Sequence, residues 1–214
     1  MDELRHNASH CQARPGIDDA VKLFPRQPIT ETDTLVKVDP GEVITINRET
    51  TMNRGQNFKL QISFRRTEDD GPVFQKQDGE RFDSSITVKL NVNTKYSVFL
   101  TTRPARPVKR VVLKGEKLDV DRQKPQRSDD DCGVYHTDWS TIGQFITKSN
   151  KRIYLPIVIE MEDGSTVETK MQTKLYPEKE SSHSRWGQEF HMLDLDCTQK
   201  PGQHVVDIRK ELYI

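Results

Sequence analysis

The 214-residue chain carries 33 basic and 33 acidic side chains, so no overall field draws it to nucleic acid or to an anionic membrane. Only 33% of residues are hydrophobic and 31% are charged, which is apolar-poor for a globular protein and leaves part of the chain outside a packed core. Cys11, Cys132 and Cys197 are an odd set at wide spacings, and no apolar segment follows Met1, which argues against a secreted disulfide scaffold and for a cytoplasmic protein. The longest apolar stretch, around Leu155–Ile159, is far shorter than the roughly twenty residues that span a bilayer.

Residues 1–57 have scattered charges, prolines at 15, 25, 28 and 40, and only brief apolar clusters. They read as a mostly flexible extension, with room for one short strand at Glu42–Asn47. From residue 58 to 214 the pattern becomes that of a folded domain. Phe58, Leu60, Ile62 and Phe64 occupy alternate positions between Lys59, Gln61 and Ser63, the period of a strand with one buried face. Asp78-Gly79 then suits a tight turn between arms at Val73–Phe74 and Arg81–Phe82. Ile86, Val88, Leu90 and Val92 repeat the alternation.

Further along, Tyr96, Val98 and Leu100 share a face, Val108–Lys114 is rich in β-branched residues, and Leu118 and Val120 turn back beside it after Gly115. Asp121–Asp131 reads as a polar loop, Val134–Trp139 as a strand, and Ser140–Asn150 has space for one helical turn. The strictest alternation is Ile153, Leu155, Ile157, Ile159 and Met161, returned through Asp163-Gly164 into Val167, Thr169, Met171, Thr173 and Leu175. A loop over Pro177–Gln188, a strand over Glu189–Cys197 and a last strand within Val205–Leu212 complete the chain. About ten short strands without an amphipathic helix predict an all-β domain, an antiparallel β-sandwich or a filled β-barrel.

The chemistry-bearing residues form no strong catalytic or metal motif. His6, His10 and Cys11 form one loose ligand group and Cys132 with His136 another, but a structural zinc site needs two close pairs. The strings for nucleophile elbows, phosphate loops and helical zinc sites are absent from the sequence. Ser182, His183 and Asp194 supply a formal nucleophile, base and carboxylate, as chance alone provides in a chain of this length. The expectation is a protein without cofactor, metal or turnover. The basic run RPARPVKR at Arg103–Arg110 has prolines where a nucleic-acid groove needs aromatics, and reads as a solvated loop rim. Tyr135, Trp139 and Trp186 are either lids on the core or anchors for a partner.

Several strings occur in one order: DGPVFQKQDGERF at Asp70–Phe82, TVKL at Thr87–Leu90, VLKG at Val112–Gly115, GVY at Gly133–Tyr135, ETKMQTKLY at Glu168–Tyr176 and RWGQEF at Arg185–Phe190. Together they resemble the cannabinoid receptor-interacting protein 1 family over about Phe58–Leu212. The resemblance implies a non-enzymatic adaptor that engages the C-terminal tail of a G-protein-coupled receptor and alters its signalling or trafficking. It also implies a sandwich or barrel similar to the cargo domain of Rho GDP-dissociation inhibitors, and with it an alternative role as carrier or regulator of a prenylated small GTPase. The extension through Asn57 has no counterpart in the family pattern. Cys132 stands where the family tends to carry a basic residue, and Ser184 where it tends to carry a cysteine. The residues expected to face a partner are Tyr135, Arg185, Trp186 and Cys132.

Overall fold

The computed structural model describes residues 56–125 and 131–214. The expected extension, its strand at Glu42–Asn47 and the His6, His10 and Cys11 group lie outside the described residues. All described elements fall within one unit, Asn47–Ile214.

Among the described residues, thirteen strands form two sheets. In chain order they are β1 (Gln56–Arg66), β2 (Val73–Gln77), β3 (Ile86–Asn91), β4 (Lys95–Arg103), β5 (Val108–Leu113), β6 (Glu116–Asp119), β7 (Asp121–Gln123), β8 (Gly133–Ser140), β9 (Ile153–Met161), β10 (Thr166–Tyr176), β11 (Gln188–Phe190), β12 (Leu193–Gln199) and β13 (Asp207–Tyr213). The first sheet has six strands in the order β13-β12-β1-β4-β8-β7, the second seven in the order β11-β2-β3-β10-β9-β5-β6. The result is an all-β sandwich, as the strand alternation predicts, and it is not closed into a barrel.

The inner faces follow the period-two pattern. Leu60 and Ile62 on β1, Val98 and Leu100 on β4, Ile157 and Ile159 on β9, Val167 and Met171 on β10, and Leu193 and Leu195 on β12 are all fully buried. In register, Leu60 lies opposite Leu195, and Ile62 opposite Leu100, so branched side chains interlock across neighbouring strands. The hairpin through Asp163-Gly164 forms as expected, with Gly164 at φ +81 and Val167 opposite Ile159.

Four local readings need correction. Asp78-Gly79 does not join adjacent arms: it opens a longer connection with a short 3-10 turn at Gly79–Arg81, and β2 pairs instead with β3, Gln77 opposite Ile86. The sheets are not wholly antiparallel, because β10 runs parallel to β3 with Leu175 beside Leu90. Ser140–Asn150 contains turns and no helix. The strand number exceeds ten because two runs of chain pass from one sheet to the other at a corner, β6 to β7 across Val120 and β11 to β12 across His191 and Met192.

The basic run is also not a plain solvated rim. Arg106 turns inward, its guanidinium 4.5 Å from the centre of the Phe58 ring and 2.6 Å from the Asp163 carboxylate.

Candidate functional site

β3 reads Ile-Thr-Val-Lys-Leu-Asn, and half-buried alternation assigns Thr87, Lys89 and Asn91 to solvent. All three are buried. Each instead ties down a loop that crosses the outer face of the seven-stranded sheet, which answers the rule that buried polar groups keep hydrogen-bond partners.

Thr87 holds the connection between β2 and β3. Its hydroxyl donates to the Asp78 carboxylate at 2.5 Å, and Arg152 meets the same carboxylate with two bonds of 2.8 and 3.0 Å. Lys76 adds a third cationic contact at 3.0 Å. The Asp78 and Arg152 side chains are only 3% and 8% exposed, so this is a buried ion pair. Burial pushes the Asp78 carboxyl up, but the bonds from Arg152, Thr87 and Lys76 outweigh it and hold the group well below the usual carboxylate range. Phe82 lies over the Arg152 guanidinium at 4.3 Å, and the Gln172 amide donates to Ser84 O and to the Thr87 hydroxyl.

Lys89 and Asn91 hold the loop from Pro177 to Gly187. Asn91 donates through Nδ2 to the carbonyls of Pro177 at 2.7 Å and Glu180 at 2.9 Å. Lys89 donates through Nζ to the carbonyls of His183, at 2.8 Å, and Trp186. Its Nζ also sits 5.3 Å from the centre of the Trp186 ring. Burial, followed by repulsion from Lys76 and Lys174, lowers the Lys89 pKa.

Glu180 closes the same loop on itself. Its carboxylate accepts the Ser182 hydroxyl at 2.6 Å, the backbone N–H of His183 at 2.7 Å and that of Ser184 at 2.9 Å. Burial acts to raise its pKa, but these bonds dominate and bring it from 4.5 down to about 2. A carboxyl held lower in the folded than in the unfolded chain stabilises the fold fully above its unfolded pKa, and that contribution disappears as the folded pKa is crossed from above. The Glu180 contribution is therefore complete above about pH 4.5 and is lost towards about pH 2. Trp186 emission, recorded across that window, is expected to report loosening of the loop, and Glu180→Gln to abolish the transition.

At the far end of the loop Gly187 adopts φ +116, and a Cβ there would stand 2.7 Å from the Gln75 carbonyl oxygen. Only glycine fits that backbone without displacement. The consequence is that Trp186 projects from a fixed backbone while 69% exposed. Arg185 beside it is 49% exposed at its side chain and lies 3.8 Å from Asp69. Just past them, β11 is the end strand of its sheet, paired with β2 on one side and with no described strand on the other.

The remaining expected partner-facing residues lie elsewhere. Tyr135 is 3% exposed, with its hydroxyl donating to Arg106 O at 2.9 Å, so its ring is a core side chain and not a surface anchor. Cys132 is buried as well. Trp139, 3% exposed, packs edge-on to Phe64 at 6.4 Å, which makes it a core lid.

The formal catalytic trio is not assembled. Asp194 lies on β12, within 3.5 Å of Lys59. The carboxylate near Ser182 and His183 is that of Glu180, which reaches the hydroxyl directly and the same ring nitrogen, Nδ1, that the hydroxyl meets. An imidazole relay needs the hydroxyl and the carboxylate on opposite nitrogens. The His136 ring lies tilted against Phe99, centroids 4.9 Å apart, and no group of three or more potential metal ligands occurs among the described residues.

The sequence profile of the family described as CB1 cannabinoid receptor-interacting protein 1 matches residues 54–213. The chain belongs to that family. It is 30% identical over 157 residues to the CB1 cannabinoid receptor-interacting protein 1 of Homo sapiens, covering 73% of this chain and 95% of the relative. The Bos taurus protein of the same name gives the same identity and coverage, and the Mus musculus protein is 29% identical over the same lengths. Within the cannabinoid receptor-interacting protein fold, the strings that carry the resemblance are not scattered. DGPVF leads into β2, TVKL forms β3, ETKMQTKLY ends β10 and RWGQEF enters β11, so four of the six meet on three adjoining strands and the edge strand beside them. VLKG and GVY lie on β5 and β8, away from that corner.

Proposed function

We propose that the protein is a non-enzymatic cytoplasmic adaptor that binds the C-terminal tail of a cannabinoid-type G-protein-coupled receptor and modulates its signalling or trafficking. The family membership supports a receptor partner. The observation that carries the mode of binding is Trp186: a large ring, 69% exposed, on a backbone already ordered by Lys89, Glu180 and Gly187. An exposed tryptophan on a loose loop loses ordering entropy when it binds, whereas a held one keeps most of its contact energy.

An extended tail laid along β11 gains main-chain hydrogen bonds from the sheet edge and places an apolar side chain against the indole. Arg185 supplies a cation at the rim for a carboxylate of the tail. Leu60, Ile62, Leu100, Ile157, Ile159 and Met171 are buried between the sheets while Trp186 stands on the outer surface, which favours a surface-bound tail over cargo held between the sheets. Titration calorimetry of the full chain with a synthetic receptor-tail peptide tests the proposal. It predicts saturable binding at about micromolar Kd, or about 8 kcal/mol. Heats no larger than dilution at high peptide excess would refute it.

A further inference from the structure

The connection between β8 and β9 presents a second kind of surface. Ile142 is 75% exposed, Phe145 88% and Ile146 55%, three large apolar side chains within five residues. The segment is pegged at both ends. Thr141 is fully buried, its hydroxyl donating to Asn91 O at 2.7 Å and accepting from Thr94 N at 2.9 Å. Thr147 donates its N–H to Leu175 O at 2.9 Å and accepts the Leu175 N–H on its hydroxyl at 3.1 Å. Between the pegs, Gly143 at φ +77 completes a turn closed by Gln144 N donating to Thr141 O at 3.1 Å. The apolar side chains are thus held outward, and turning them into the core would break both pegs.

The tip itself carries charge of one sign. Ser140–Arg152 contains no Asp or Glu, while Lys148 and Lys151 are exposed on it. Lys114, from the adjacent β5–β6 turn, reaches Gln144 of the tip. Two acidic side chains lie on neighbouring turns: Glu116, two residues past Lys114, and Glu178, which accepts from the Asn93 amide at 3.4 Å.

We propose that this tip docks the protein on an anionic lipid bilayer, with Ile142, Phe145 and Ile146 entering the boundary between headgroups and acyl chains and Lys114, Lys148 and Lys151 lying among anionic headgroups. Apolar side chains ringed by lysines match that interface, where buried apolar area and headgroup attraction add. A groove on another protein is a poorer match: a stable interface buries about 800 Å² per partner, more than a tip of three side chains covers. The balanced charge of the whole chain does not oppose this, because exposed charges act within about a Debye length, roughly 8 Å in physiological salt. The inference is independent of tail binding. Asn91, which accepts from Thr141 and donates to the Pro177 and Glu180 carbonyls, links the tip to the Trp186 loop.

Sedimentation of the full chain with vesicles of phosphatidylcholine alone, or mixed with phosphatidylserine, tests the assignment. The expected result is pelleting with the mixed vesicles, about a tenfold higher lipid requirement when Ile142, Phe145 and Ile146 are all changed to Ser, and weaker dependence on phosphatidylserine for Lys148→Ser with Lys151→Ser. Phe145→Ser alone shifts the curve in the same direction and serves if the triple variant does not fold, which circular dichroism decides. Wild-type protein left in the supernatant at high anionic lipid, equal pelleting on both vesicle types, or a folded triple variant that pellets like wild type would each overturn it.

Discussion

Changing Asp78 to Ala is expected to destabilise the fold by about 3 kcal/mol, because it leaves the buried Arg152 guanidinium without its carboxylate. Both side chains lie under the loop that Phe82 closes, so water does not reach the abandoned charge easily. The Thr87 hydroxyl loses its acceptor in the same step, and Arg152 Nε, which donates to that hydroxyl at 3.0 Å, cannot replace it. Asp78→Asn keeps the volume and an acceptor oxygen, and is expected to fall between wild type and Asp78→Ala. Urea unfolding reads the result: the midpoint falls while the slope with denaturant is unchanged, as for a loss of stability without a change in the surface exposed.

The same carboxylate gives the result a pH signature. The folded state holds Asp78 below the usual carboxylate range, so its contribution is fully present above that range and declines as pH falls through it. Wild-type stability therefore drops faster with acid than that of Asp78→Ala. Parallel acid dependence of the two proteins would contradict this account of the outer-face loop.

The second large effect concerns binding. Trp186→Ala is expected to weaken receptor-tail binding by about 2 kcal/mol, about thirtyfold in Kd, the usual cost of truncating a central aromatic anchor. Stability is expected to change by no more than about 0.5 kcal/mol, since the ring is mostly in solvent and its backbone is held by the main-chain carbonyl contact to Lys89. The two readouts separate an anchor from a lid: a lid would cost folding free energy and leave tail binding of the remaining folded protein intact. Trp139→Ala supplies the contrast, because its ring is in the core beside Phe64 and Tyr96.

How far the fold was legible depended on whether side chains or backbone decided each element. The β1 and β9–β10 strands follow from alternation because one face is uniformly apolar, and a shift by one residue would expose Ile62 or Ile157. The corners at Val120 and His191-Met192 are set by the chain crossing between sheets, which leaves no residue pattern of its own. The hairpin assigned to Asp78-Gly79 failed because Asp78 is a buried ligand of Arg152, 74 residues away, and not simply a turn residue.

The candidate site was half readable. Trp186 and Arg185 stand next to Gly187, and a tryptophan in a polar loop is a recognisable anchor. Tyr135 gave the same signal from a strand, but alternation with Trp139 places it on the inner face, and that face decides the outcome. Lys89 and Asn91 were missed because polar residues on alternate positions read as solvent-facing. Their burial follows from the loop above them, whose carbonyls need donors.

The most direct test uses the fact that the chain has two tryptophans, one buried and one exposed. Indole N–H resonances recorded by NMR during titration with the receptor-tail peptide are expected to show the Trp186 signal moving with the Gln188–Phe190 amides, while the Trp139 signal stays in place. Saturable tail binding that leaves Trp186 and β11 unshifted would contradict the account.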